Sequence, residues 1–214
     1  MGMTVGDVMT TRVIAVTRDA DFKQIAAVLR QYRVSACPVI DDAGRVVGVV
    51  SEADLLYKAA DCEMPAGLIR LRWKLGEESK ITAVTARELM TSPAVTVQAD
   101  VPVQVAARVM RDRRLKRLPV VGAGGKLCGI VTRTDVLGVY DRPDADVLAA
   151  VKDVVASASG ISPEDVQASV SSGVVTLSGF VPLQEMALEL AVRIRHIEGV
   201  VAVRDRLAVG RPID

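Results

Sequence analysis

The chain repeats itself at a fixed interval, and that repetition limits the folds open to it. Gly48-Val49-Val50-Ser51-Glu52-Ala53-Asp54 returns 81 residues later as Gly129-Ile130-Val131-Thr132-Arg133-Thr134-Asp135, with glycine, hydroxyl and carboxylate at the same spacing. The offset holds without a gap. Met9-Thr10 matches Met90-Thr91, Val16 matches Val97, Ala26 matches Ala107, Pro38-Val39 matches Pro119-Val120, and Gly44 matches Gly125. A unit of roughly 50 residues cannot bury an apolar face alone, so two copies are expected to pack on each other as a pseudo-symmetric pair.

Each unit reads β-α-β-β-α. In the first, Val5 to Met9 is a short lead-in and Val13 to Val16 a short strand. Asp21 to Tyr32 is a helix, with Phe22, Ile25, Ala26, Val28 and Leu29 at helical spacing. Cys37 to Ile40 is a buried strand, Asp41 to Gly44 a turn, Arg45 to Val50 a strand and Ser51 to Ala60 a helix. The expected boundaries are 1–61 for the first repeat and 86–141 for the second.

The strand-to-helix junctions carry the candidate chemistry. A helix N-terminus presents unpaired backbone N–H groups and partial positive charge, which suits a phosphate. A carboxylate there can also accept from two neighbouring hydroxyls, as on a ribose. Ser, Thr and Asp are equally favoured as helix caps, so each junction has a purely structural reading beside the functional one.

Residues 62–85 have no counterpart inside the repeat. Leu68 to Leu75 mixes apolar and basic residues around Trp73, and reads either as a helix continuing past Gly67 or as a loop. In the second repeat the helix Val103 to Arg113 runs into Arg111-Asp112-Arg113-Arg114-Leu115-Lys116-Arg117. Arg111 to Arg114 complement the helix dipole. Lys116 and Arg117 directly precede the strand Leu118 to Val121, which places them at the edge of a cleft.

Past Asp141-Arg142-Pro143-Asp144 a second module begins. Residues 145–210 read α-β-β-α-β: a helix Ala145 to Ala158, a hairpin Val166 to Val170 and Val174 to Leu177, a helix Leu183 to Ile197, and a last strand Val200 to Val209. The fold class is therefore α/β (α+β), two repeats plus a small sheet with one helical face.

Half of the residues are hydrophobic but only 3% are aromatic, so the cores must be aliphatic. A net charge of +1 gives no general pull toward nucleic acid or acidic membranes. Cys37, Cys62 and Cys128 lack metal-ligand spacing, no apolar run approaches the length of a membrane span, and the N-terminus has no signal-peptide core. A cytoplasmic chain without a metal centre is expected. His196 is the single histidine, and no nucleophile elbow, P-loop or dinucleotide glycine motif occurs, so no catalytic residue is assigned.

The doubled Gly-hydrophobic-x-(Ser/Thr)-x-x-Asp signature, the Pro-Val of each second strand and the Met-Thr before each first strand resemble a tandem pair of CBS domains, a Bateman module. Gly173 to Gly179 and Gly199-Val200-Val201-Ala202-Val203 resemble a BON domain. The first resemblance implies clefts that bind an adenosine ligand: AMP, ADP, ATP, S-adenosylmethionine or a dinucleotide. One cleft would combine Ser51 and Asp54 with Thr91, Val95, Lys116, Arg117 and Pro119. The other would combine Thr132 and Asp135 with Thr10, Val13, Ala36 and Pro38, with Arg133 as its only nearby cation. Asp would hold ribose hydroxyls, and Ser or Thr would help with phosphate. The two cations favour phosphorylated adenosine in the first cleft, although Glu52 opposes them.

The resemblance also implies a homodimer through the CBS helices, with a regulatory signal read by the BON module or a protein partner. A second reading is a ligand-free, dimeric, stress-associated adaptor. A third is phospholipid association through the BON module, where Arg193, Arg195, His196, Arg204 and Arg206 form a patch or simply a solvated face.

Overall fold

The computed structural model describes residues 3–61 and 83–210. Trp73 and the basic-apolar run around it lie outside the described residues. The chain divides into two compact units, Thr4–Arg133 and Thr134–Asp214 with Met1–Met3, and each is described by itself.

The first unit contains both repeats. The first repeat is α1 (Val5–Val8), β1 (Val16–Thr17), α2 (Phe22–Tyr32), β2 (Ala36–Ile40), β3 (Val46–Ser51) and α3 (Glu52–Asp61). The second is α4 (Ala86–Leu89), β4 (Val97–Gln98), α5 (Val103–Asp112), β5 (Arg117–Val121), a 3₁₀ turn Ala123–Gly125 and β6 (Leu127–Thr132). α6 (Arg133–Gly138) follows across the division between the units. Each repeat makes a three-stranded sheet, β1-β2-β3 or β4-β5-β6, with the first pair parallel and the second antiparallel.

The duplication extends to small features. Thr4 with Asp7 and Thr85 with Glu88 form matching capping boxes. Register shifts fall at Val39/Ile40 and at Val120/Val121. The chain leaves each long helix through a left-handed arginine, Arg33 at φ 53° and Arg114 at φ 56°.

The repeats are intertwined through their lead-in helices. Val5 N donates to Val101 O and Gly6 N to Ala99 O, while Ala86 N donates to Ala20 O and Arg87 N to Arg18 O. Ala86 and Leu89 accordingly join Ile25, Leu29, Cys37, Val39 and Val50 in the core of the other repeat. Of the strand expected over Val13 to Val16 only Val16 is paired, and the strand instead runs Val16–Thr17, because these are the residues that reach partners in β2, namely Val39 and Ile40.

The second unit is α7 (Asp144–Ala156), β7 (Val166–Ser171), β8 (Val174–Val181), α8 (Gln184–Arg195) and β9 (Ala202–Val209). Its sheet runs β7-β8-β9, antiparallel then parallel. Val147, Val151 and Val155 of α7 and Ala187, Leu190 and Ile194 of α8 cover Val175 and Leu177 of the sheet. Asp144 anchors the hairpin, with its carboxylate accepting from Ser172 N at 2.7 Å and Gly173 N at 2.8 Å. β8 runs past the expected end at Leu177. Gly179, at φ 115°, stays paired with Val166 and Leu207, and a Cβ there would collide with the Asp165 carbonyl.

Candidate functional site

The Ser51–Asp54 junction opens into a cavity of about 500 Å³ between the two repeats. Repeat 1 supplies Ser35, Ala36, Val49, Ser51, Glu52, Ala53, Asp54 and Leu56; repeat 2 supplies Thr91, Pro93, Ala94, Val95, Arg114, Leu115, Lys116 and Arg117. The backbone explains the meeting. Val49 of β3 and Thr91 bond each other in both directions, at 3.1 and 2.9 Å, which carries the lead-in to β4 across to the signature strand.

One wall is polar. Asp54 is buried at 7% exposure, and its Oδ2 accepts from Ser51 N at 2.9 Å and from Ser51 Oγ at 2.7 Å. This is a cap reaching back from the first turn of α3. A second wall, Val49, Leu56, Pro93, Ala94 and Val95, is aliphatic. Arg114, Lys116 and Arg117 supply cations, and Glu52 stands among the lining residues as an acid.

Six of the seven residues expected in this cleft line it: Ser51, Asp54, Thr91, Val95, Lys116 and Arg117. Pro119 does not, because it is buried in β5 opposite Ile130. Ala36, expected in the other cleft, lines this one, because β2 runs antiparallel to β3 and sets Ala36 directly opposite Ser51. Arg117 is committed within the protein: Nη1 donates to Ala36 O at 3.2 Å and Nη2 to Ser35 Oγ at 2.5 Å, tying β5 to the first repeat. Arg114, expected only to complement a helix dipole, lines the cavity because its left-handed backbone turns the chain there. Its signal was present in the sequence as the counterpart of Arg33.

For the other set, Thr10 bonds Ile130 in both directions, the mirror of Val49 with Thr91. Pro38 is buried in β2 opposite Val49, and Val13 is half-buried. Thr132 ends β6 opposite Arg117. Arg133 Nε donates to Leu115 O at 2.8 Å, so this cation is tied to the neighbouring loop. Asp135 lies in the first turn of α6, on the other side of the division between units.

Cys37 lies behind the Arg117 crossing and is fully buried. Burial pushes its thiol up to about 11, against the weaker opposing pull of the Arg117 charge, so it stays protonated and inert at neutral pH. Among the described residues no group of three or more His, Cys, Asp or Glu could hold a metal ion. Among them too, no helix is long and apolar enough to cross a membrane.

Residues 5–61 and 86–142 each match the CBS domain family, and 143–211 match the BON domain family. The chain belongs to the CBS-domain family. It is a CBS pair followed by a BON domain, as the doubled signature implied. The pair is 28% identical over 137 residues to the uncharacterized protein MK0525 of Methanopyrus kandleri, covering 64% of this chain and 62% of that one. It is 34% identical over 149 residues to the chloroplastic CBS domain-containing protein CBSX2 of Arabidopsis thaliana, covering 64% of this chain and 63% of the relative. These matches span less than two thirds of either relative. The crystal structure of CBSX2 in complex with AMP superposes with a TM-score of 0.56 at 34% identity, over 64% of this chain and 95% of that one. The CBS pair of protein MJ0100, in complex with 5′-methylthioadenosine and S-adenosyl-L-methionine, shares the fold at a TM-score of 0.53 and 21% identity, over 66% of this chain and 98% of that one.

Proposed function

We propose that this CBS pair is a non-catalytic regulatory sensor that binds a phosphorylated adenosine compound in the Ser51–Asp54 cavity. The observation that carries the reading is the convergence of both repeats on one cavity of about 500 Å³, within the usual range for small-molecule sites. The aliphatic wall suits a base, and Ser51 with Asp54 suits the sugar. Lys116 and Arg114 suit phosphate, while Arg117 holds the two repeats together at the rim. The AMP complex of CBSX2 supports the ligand class.

Ligand binding acts on function only if it favours one arrangement of the repeats over another. We place the output in a homodimer packed through the CBS helices, in the cytoplasm, with the BON domain or a protein partner reading the change. Calorimetric titration of AMP, ATP, adenosine and S-adenosylmethionine tests the reading. Lys116→Ala, an exposed side chain, is expected to weaken AMP and ATP about tenfold while leaving adenosine little changed, the loss of one charge-assisted contact. No binding by any of the four would overturn it.

The Asp54–Ser51 bonds favour a second reading, a ligand-free adaptor whose signature carboxylates only cap helices. A thermal-shift panel separates the two. A ligand at a hundred times its dissociation constant stabilises the folded chain by about 2.7 kcal/mol, whereas the adaptor shows no shift.

A further inference from the structure

β7 and β9 are the two edges of the C-terminal sheet, and they are guarded differently. On β9 the Asp205 carboxylate accepts from its own Leu207 N at 2.9 Å, occupying one donor of the strand. Arg204 and Arg206 share one face of that strand. A two-fold antiparallel pairing of β9 with itself brings these arginines opposite or diagonal to each other, which is unfavourable.

β7 carries none of these devices. Its six residues, Val166-Gln167-Ala168-Ser169-Val170-Ser171, include no charge and no proline, and its register with β8 is unbroken. Natural edge strands are protected by charges, prolines, bulges or covers. The hairpin pairs Ser171 with Val174, and Phe180 N donates to Asp165 O. By the alternation of an antiparallel ladder, Gln167, Ser169 and Ser171 bond to β8, while the amides of Val166, Ala168 and Val170 point to the outer edge. No other described strand pairs with that edge.

A cavity of about 580 Å³ runs beside this edge, between β7 and α7. Val166, Gln167 and Ala168 form one wall, and Lys152, Asp153 and Ala156 the other. One cation and one anion side by side make a wall that an inverted copy of itself can match in charge.

We propose that β7 is the edge on which a second copy of this chain docks, β7 against β7, antiparallel about a two-fold axis. The two three-stranded sheets then become one of six strands. A two-fold axis perpendicular to the sheet keeps each face on its own side. Gln167 and Ser169 meet on the open face, Val166, Ala168 and Val170 meet on the helix-covered face, and no like charges oppose. This contact is independent of ligand binding in the CBS pair and of any dimer made by its helices.

Residue-resolved hydrogen exchange on the full chain tests it. At high protein concentration the amides of Val166, Ala168 and Val170 are expected to exchange about tenfold or more slowly than on dilution. The amides of Gln167, Ser169 and Ser171 stay protected at both concentrations. Ala168→Pro removes an outward N–H without touching the β8 ladder, and Ser169→Lys puts a charge on the edge; either is expected to abolish the concentration dependence. If Ala168→Pro fails to fold, Ser169→Lys decides alone. Fast exchange of the three outer amides at every concentration overturns the proposal. So does protection that dilution leaves unchanged, which would mean an occupant other than a second copy.

Discussion

Met90 lies across the bare Cα of Gly48: a Cβ built on Gly48 would stand 2.8 Å from Met90 Cγ and 3.0 Å from Met90 Cβ, inside the thioether. The duplicated partner repeats it, with Met9 Cγ 3.0 Å and Thr10 O 3.3 Å from a Cβ on Gly129. The methionine of each Met-Thr pair and the glycine of each signature are therefore two halves of one contact between repeats. Gly48→Ala is expected to destabilise the chain by about 1–3 kcal/mol through overpacking, measured by urea unfolding. Gly48→Ala combined with Met90→Ala should cost less than the sum of the two single changes. Strict additivity would show that the two residues are not coupled.

Arg117 joins the repeats at the rim of the cavity through Ser35 Oγ and Ala36 O. Arg117→Ala is expected to lower unfolding stability by about 1 kcal/mol, the net worth of hydrogen bonds at a half-buried site. Arg117→Lys should recover little of it, because an ammonium lacks the planar fork that serves two acceptors at once.

Asp54 has two separable roles, capping and the proposed sugar contact. Asp54→Ala is expected to cost about 1 kcal/mol of stability through lost capping, whatever the cavity binds. Weakened AMP binding in the same variant, corrected for any unfolded fraction, tests the second role. Unchanged affinity would leave Asp54 as a cap only.

Cys37 gives an alkaline limb to stability. Its folded value is raised from 9.0 to about 11, so its contribution is present in full below the unfolded value. It is lost as pH rises from about 9 toward about 11, as the unfolded thiol ionises first. Unfolding curves across this range should flatten in Cys37→Ala relative to the parent, after allowing for the cavity that substitution leaves. Arg117→Ala should steepen the limb, because it removes the charge that opposes the shift.

Asp144 closes the BON hairpin by accepting from Ser172 N and Gly173 N. Asp144→Ala leaves both amides without this acceptor and is expected to cost about 1–2 kcal/mol. Hydrogen exchange at Ser172 and Gly173 should report the loss before the CBS pair responds. Asp144→Asn should recover part of it.

Local patterns in the chain settled much of the architecture. The ungapped offset named the two repeats, and the apolar spacing over Phe22 to Leu29 placed α2 within a residue of Phe22–Tyr32. The Ser171-Ser172-Gly173 turn read from the sequence located the C-terminal hairpin, although Ser171 itself belongs to β7, paired with Val174. The errors fell where a distant partner decides: of the expected first strand only Val16 is paired, joined by Thr17, and β8 ran through Gly179 because its neighbours continued.

At the cleft, the doubled junctions and the position of Lys116 and Arg117 before a strand were legible in the residues, while the set that joins Ser51 and Asp54 to Thr91, Val95, Lys116 and Arg117 came from the resemblance to CBS pairs. What spacing could not say is which charges remain available. Arg117 bonds to Ser35 and Ala36, residues 82 and 81 positions away, and Arg114 reaches the cavity through a left-handed turn. The Arg117 bonds depend on atoms that only the packing of one repeat on the other brings together. The units and the local Ser51–Asp54 cap follow from neighbours in the chain, because the groups that hold Asp54 lie three residues away; only the packing of one repeat on the other decides how Arg117 is engaged, because its acceptors belong to the other repeat.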